Sequence, residues 1–502
     1  MKLRHPNITL AIISLSYLMI VVDLSVAVTA LPLIKADLGF STAQLSWIQN
    51  AYTLTLGGLL LLGARAGDIL GRRRMFVWGL VVFMAASLVV GVTETAQIMI
   101  LARVLQGFGG AMVLPTTLSL VNANFQGKER GIAFAVWGST IGGMVALGPV
   151  LGGWLATDFG ADGWRLAFNI NLPLGLIVIL GLLIWVSESK EEQRAGGIDI
   201  VGALISVVMF STLVFGLIEG RVYGWWMAST KNTFQIGDFA WPTDGISIIP
   251  VSLAVSAVFF VLFVLWEKSR EKAHKNVLLD LDLFKIGSFR NGSFAALIIS
   301  MGEFGLLFAL PLWLQNVEAL TPVSSGLVLL WLAGGAFLAS GVGGALSGKL
   351  PAVRAVQIGV LFELIGVAGI SLVASTAGGW WPIAPFLLLY GIGVGLATAQ
   401  LTGVIMTDVP MNKIGQASGS QSTVRQIGSA LGIAVLGTIL FTATQGAAES
   451  RLLATEALST MPAAQQAEFI EGLSTTVVDS SGGFLPMIEP TLLDAGAPDE
   501  VA

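Results

Sequence analysis

The sequence predicts an all-α protein that crosses a membrane many times, built as two parallel six-helix bundles with two further helices inserted between them. Three observations predict it. Of 502 residues 55% are hydrophobic and 11% charged, whereas soluble domains carry about 25% charged residues. The apolar residues fall in runs of membrane length, and the lysines and arginines between the runs are unevenly shared. The second half of the chain also repeats features of the first at one fixed offset.

Apolar runs of about 18 or more residues lie at 8–33, 44–66, 75–93, 97–121, 132–156, 168–187, 199–220, 245–267, 291–315, 323–348, 355–375, 380–406 and 421–445. These thirteen are the predicted spans. The start, Met1-Lys2-Leu3-Arg4-His5, resembles the basic region of a signal peptide, but the run after it is too long for one and is taken as span 1. With the N-terminus in the cytoplasm, nineteen of the 26 lysines and arginines fall on the inner side, five outside, and Arg103 and Arg425 within spans. That satisfies the positive-inside rule and predicts a multi-pass protein of the cytoplasmic membrane. The 61 glycines suit helices that approach one another closely in lipid.

Sliding the chain by 284 residues sets Trp47 on Trp331, Gly107 on Gly391, Gly109 on Gly393 and Gly131 on Gly415. Spans 2, 4 and 5 thereby align with spans 10, 12 and 13, a parallel repeat of the kind transporters use. The expected divisions are an N-terminal six-helix bundle over 1–190, two inserted helices with their linkers over 191–275, and a C-terminal bundle over 276–446 with five recognisable helices. An acidic polar tail follows over 447–502. The partner of span 6 should lie near 452–471, yet from Glu449 to Ala502 there are nine acidic residues, one arginine and no run of membrane length. A last helix is therefore expected to be missing.

The absence of cysteine excludes disulfides and thiolate metal sites. His5 and His274 stand in charged segments with no second ligand at helical spacing, so no metal is expected. No P-loop, Ser-His-Asp set or metal box occurs. The sequence therefore predicts neither an enzyme nor a cofactor nor a nucleic-acid partner, and any work must draw on a gradient. The expected partners are a small-molecule substrate, protons and the lipid bilayer, with a monomer sufficient.

Ionisable residues inside spans are costly and mark pathways. Asp23 is about fifteen residues into span 1, roughly 22 Å from its cytoplasmic end, and Arg103 is roughly 9 Å below the outer end of span 4, so the two share a depth. They either pair across the first bundle or meet at a shared cavity. Their equivalents in the repeat are Leu307 and Leu387, so the bundle itself does not require the charges. Glu303, near mid-depth in span 9, and Glu363, in span 11, are candidates to bind a proton or a cationic substrate. Glu219, at the outer end of span 7, is expected to be solvated, and Arg425 to anchor at the inner interface. Tyr52, Trp137 and Trp313, with Trp47 and Trp331, either line an apolar cavity that holds a flat cation or pack at the interface. Between spans 2 and 3, Asp68, Gly71, Arg72, Arg73 and Arg74 form a charged loop. It serves topology alone, or gates the inner end together with Glu129 and Arg130 of the next inner loop. Gly148, Pro149, Gly152 and Gly153 give span 5 a face for close packing and bending.

At these residues the chain resembles the major facilitator superfamily, and within it the fourteen-helix drug:proton antiporter family, from about Ile8 to Gly446. Asp23 with Ala30-Leu31-Pro32 is similar to that family's first-helix motif. Asp68-Ile69-Leu70-Gly71-Arg72-Arg73 resembles the loop that controls conformational switching, with Ala64 and Ile69 departing from it. Arg103-Val104-Leu105-Gln106-Gly107 matches the helix 4 motif associated with proton coupling. Gly148-Pro149-Val150-Leu151-Gly152-Gly153 matches the antiporter motif of helix 5, with Met144 in place of its leading glycine. Trp164-Arg165, Phe168, Asn171, Pro173 and Gly175 are similar to the family's helix 6 region. The resemblance implies a proton-coupled exporter of amphipathic, cationic or neutral, small molecules that works by alternating access. In it Asp23 and Arg103 couple protonation to release, Glu303 is a second carboxylate, and Asp68, Arg72 and Arg73 latch the inner gate. An uptake carrier for a specific metabolite, and a transport-inactive sensor or assembly partner lacking its last helix, are the alternatives.

Overall fold

A computed structural model describes residues 6–40, 42–125, 127–188, 199–229, 233–236, 239–346, 350–374 and 379–453. The predicted acidic tail lies outside the described residues from 454 onward.

The first half holds α1 (Pro6–Leu38), α2 (Thr42–Leu70), α3 (Arg72–Val92), α4 (Ala96–Asn124), α5 (Gly127–Asp158), the short α6 (Gly163–Asn169) and α7 (Asn171–Trp185). Two helices follow, α8 (Ile200–Tyr223) and α9 (Ile248–Lys272), joined by a connector with two short paired strands, β1 (Gln235–Ile236) and β2 (Phe239–Ala240). The second half holds α10 (Gly287–Asn316), α11 (Pro322–Leu346), α12 (Ala352–Val373), α13 (Ala384–Met406) and α14 (Ile414–Leu453). Among the described residues twelve helices are long and apolar enough to cross a membrane. They coincide with twelve of the thirteen predicted spans. The remaining one, 132–156, falls on α5, many of whose side chains lie outside the described residues. Span 13 was expected to end at 445, but its helix runs unbroken to Leu453; Ala-rich sequence sustains a helix beyond the apolar stretch that predicts the span.

Polar residues set several helix starts. The Asp199 carboxylate accepts from Gly202 N at the start of α8, and Ser247 Oγ accepts from Ile249 N at the start of α9. Each satisfies an amide that has no partner within its own helix. The two inserted helices pack on each other, pinned at one end where Arg270 Nε lies 3.0 Å from Asp199 Oδ2 and Trp266 Nε1 donates to the same carboxylate.

The halves repeat one packing scheme. α4 lies between α2 and α3 as α13 lies between α11 and α12, while α1 packs on α5 as α10 packs on α14. Across the molecule α5 meets α11 and α2 meets α14, and α8 rests on α2 and α14. The repeated glycines stand where backbones touch. A Cβ at Gly107 would lie 2.6 Å from the Tyr52 carbonyl oxygen, and one at Gly391 would strike that of Leu332. A Cβ at Gly109 would lie 2.7 Å from the Gly79 oxygen, and one at Gly393 2.6 Å from the Gly359 oxygen. The 284-residue register thus marks the two places where α4 and α13 touch their neighbours, as close membrane packing requires.

Candidate functional site

The core of the first half contains a closed polar cluster in apolar surroundings. Asp23 on α1 and Arg103 on α4 are both buried, with Arg103 Nη1 2.6 Å from Asp23 Oδ2. Of the two arrangements the sequence allowed, this is direct pairing. Gln106 Nε2 and Asn171 Nδ2 donate to Asp23 Oδ1 at 3.1 and 2.6 Å, and both also donate to Ser87 Oγ. Arg103 donates through Nε to the Ile48 carbonyl at 3.0 Å and through Nη1 to Gln106 Oε1 at 2.7 Å. Its Nη2 has no hydrogen-bond partner among the described residues. The guanidinium carbon lies 4.4 Å from the Tyr52 ring centre and 5.5 Å from that of Phe168, and ring quadrupoles partly replace lost hydration. Elements α1, α2, α3, α4, α6 and α7 all contribute. Gln106 was legible as the i+3 neighbour of Arg103 on one helix face; Ser87 carried no signal of its own.

At the opposite end of α2, Asp68 is buried and accepts from Arg72 Nε and Nη2 at 3.1 and 2.8 Å, with Arg65 Nη1 4.0 Å away. Its carboxylate lies against Gly415, at the first turn of α14, so closely that a Cβ there would overlap it. A carboxylate at a helix N-terminus meets unpaired amides and the positive end of the helix dipole. Gly71 has φ +110°, which glycine alone adopts readily, and a Cβ there would come within 2.7 Å of Glu188. Glu188, just past α7, accepts from the backbone N–H groups of Arg73 and Arg74 at 3.0 and 3.1 Å and so caps α3 from outside it. Arg73 Nη1 donates to the Val186 carbonyl at 3.1 Å. Among the described residues the charges of this loop meet Glu188 and α14. Glu129 is exposed, and the Arg130 side chain lies outside the described residues. Glu188 was missed because pairing over more than a hundred residues leaves no local pattern.

In the second half Glu303 on α10 is buried, and its partner is Arg425 on α14, Nη2 to Oε2 3.5 Å. Arg425 is therefore no interfacial anchor: a buried carboxylate holds it inside, and snorkelling is lost. Glu363 Oε1 and the Tyr390 hydroxyl are buried with no hydrogen-bond partner among the described residues. Trp137 is buried, donates to Thr117 Oγ1 at 3.3 Å and lies 4.8 Å from the Tyr17 ring. Trp313 packs beside an apolar cluster with Leu310, Leu314 and Leu387. Gly148, Gly152 and Gly153 are buried, and a Cβ at Gly153 would lie 2.9 Å from Val323 N on α11. Gly153 of span 5 thus meets the other half. The Pro149 side chain lies outside the described residues.

Glu219 also departs from expectation. It is 3% exposed on α8, and Asn50 Nδ2 of α2 donates to its Oε1 at 2.5 Å. The apolar face that α8 packs on α2 carries Glu219 inward with it. Between α2, α8, α9 and α14 lies a cavity of about 800 Å³ with an almost wholly apolar lining that includes Leu61, Phe210, Phe260 and Val424.

Comparison with known proteins gives a consistent family. The model described as Major Facilitator Superfamily matches residues 13–433. A protein of Streptomyces coelicolor described as a probable actinorhodin transporter is 33% identical over 432 residues, 84% of this chain and 70% of that protein. The tetracenomycin C resistance and export protein of Streptomyces glaucescens is 30% identical, over 87% of this chain and 76% of that protein. The multidrug resistance protein Stp of Mycobacterium tuberculosis is 32% identical over the same shares. In fold the chain is similar to the human organic anion transporter MFSD10, with TM-score 0.56, 15% identity and coverage of 86% and 92%. It is likewise similar to the proton:xylose symporter XylE, with TM-score 0.56, 12% identity and coverage of 88% and 90%.

Proposed function

Because the chain belongs to the Major Facilitator Superfamily, and is thus a multi-pass membrane transport protein and no enzyme, we propose that it is a proton-driven exporter of amphipathic small molecules. The observation that carries this reading is the Asp23–Arg103 pair. A buried ion pair whose carboxylate accepts from three side chains lies in one half, while the matching positions of the other half are Leu307 and Leu387. The fold tolerates leucine there, so the charges serve something other than packing. Relatives described as a tetracenomycin C resistance and export protein and as a multidrug resistance protein support outward transport.

In this mechanism the proton arrives at Asp23 and cancels the charge that holds Arg103. The guanidinium keeps the Ile48 carbonyl and the Tyr52 ring as partners, so α1 can move relative to α4 without leaving a cation unsolvated. Proton loss restores the pair. Glu303, held by Arg425 in the other half, is the second carboxylate able to take a proton or to face a cationic substrate, with Glu363, Tyr52, Trp137 and Trp313 as further substrate contacts. Asp68, Arg72 and Arg73 close the end that faces the cytoplasm, where the N-terminus also lies. The span 5 glycines with Pro149 let α5 slide on α11.

The test is export of a fluorescent lipophilic cation from proteoliposomes under an imposed pH gradient, beside Asp23→Asn and Arg103→Ala. Gradient-driven export by the parent and its loss in both variants is expected at equal protein level. Substrate accumulation in the direction of the proton flux would identify an uptake carrier, and absence of any substrate-linked proton flux would identify an inactive sensor.

A further inference from the structure

Glu219 belongs to none of the groups above, and its surroundings are chemically specific. On α8, Phe215, Glu219 and Tyr223 follow at intervals of four and so share one face. On α2, Trp47 and Asn50 are three apart and share another. These two faces meet at the end of the molecule away from Asp68 and Arg72. Asn50 donates to Glu219 Oε1 at 2.5 Å, and the Trp47 and Phe215 rings stack at 6.4 Å. Phe234 from the connector closes the group, 5.4 Å from Phe215 and 5.7 Å from Tyr223, each edge to face.

Glu219 Oε2 is buried with no hydrogen-bond partner among the described residues. A buried carboxylate oxygen without a donor is costly, and here the amide of Asn50 satisfies only the other oxygen. The other residues that share these two helix faces, Trp47, Phe215 and Tyr223, are aromatic and present electron-rich ring faces, while Arg221, two residues along, also acts on the carboxylate. One anionic oxygen among several aromatic rings is the chemistry that recognises an organic ammonium: the carboxylate supplies the countercharge and the rings the cation–π contacts. A hydrated metal ion is poorly served, because the rings offer no oxygen ligands.

We propose that Trp47, Asn50, Phe215, Glu219, Tyr223 and Phe234 form a peripheral site for an organic cation, separate from the carboxylates of the two halves. The site bridges α2, which packs on both α4 and α14, and the inserted helix α8. Occupation therefore ties the inserted pair to a helix of the transport core. Phe234, on the connector between α8 and α9, is the one ring of the group placed outside the helices, and so the one that turns aside to admit a ligand.

The inference concerns binding and does not depend on proton-driven export. The experiment is equilibrium binding of radiolabelled benzyltrimethylammonium to the full chain in lipid nanodiscs, with no gradient imposed. Glu219→Gln is expected to weaken one class of site about tenfold or more, and Phe234→Ala, outside the spans, to weaken the same class severalfold. Asp23→Asn is expected to leave that class in place even where it abolishes export. Binding unchanged in both Glu219→Gln and Phe234→Ala, or absent from the parent, overturns the proposal. Should Glu219→Gln fail to fold, Phe234→Ala and Phe215→Leu decide alone.

Discussion

Removing one member of the Asp23–Arg103 pair leaves its partner charged in a site whose only other contacts are neutral. Breaking a buried pair this way costs about 3–5 kcal/mol, so Arg103→Ala should lower the thermal unfolding midpoint in detergent sharply. The repeat supplies a sharper variant. Asp23→Leu with Arg103→Leu installs the residues of the second half, Leu307 and Leu387, and should recover most of that stability while gradient-driven transport stays lost. Full stability with full transport in the double variant would sink the coupling role. The pair was legible because charges inside apolar runs stand out and helix rise sets their depth. The partners that saturate Asp23, among them Ser87 and Asn171, were hidden because serine and asparagine are common in membrane helices and their meeting depends on four helices at once.

Helix ends and crossings carry the next tier of effects. The start of α3 relies on Gly71 for its positive φ and on Glu188 for its cap. Gly71→Ala imposes backbone strain of about 1–3 kcal/mol and pushes on Glu188, so its stability loss should exceed that of Glu188→Gln, which removes charge and leaves an acceptor. Unfolding midpoints of the two variants compare these directly. At the crossing of α13 on α11, Gly391→Val should prevent close approach and reduce the yield of folded protein, whereas valine at Gly302, where a Cβ meets nothing within 4 Å, should be tolerated. Size-exclusion profiles decide that contrast. The sequence showed which glycines repeat but not which backbone each one meets, because a small residue does not identify its neighbour.

Across the whole molecule the Asp68 carboxylate is one tie between halves, seated on α14 through Gly415 and held on its own side by Arg72. Asp68→Asn weakens both contacts and should shift the population toward the state open at the Asp68 end. The chain has no cysteine, so single cysteines placed near 66 and 418 report the change directly, and faster maleimide labelling in Asp68→Asn is the expected result. Unchanged labelling rates would remove Asp68 from the latch. The all-helical fold of many membrane-length spans was read correctly from the apolar periodicity. Glu219 and Arg425 were misplaced because their positions near span ends suggested water, while contacts between helices far apart in sequence draw both inward.

Paired, Asp23 and Arg103 contribute no net charge to the interior of the membrane. A proton on Asp23 leaves the arginine's positive charge standing alone at that depth. A charge that crosses the whole membrane field gains or loses about 2.3 kcal/mol per 100 mV, and one at partial depth a corresponding fraction. The same two side chains would therefore make the protein respond to voltage in one protonation state and ignore it in the other, so the electrical and chemical parts of the proton gradient would act at different moments of one cycle.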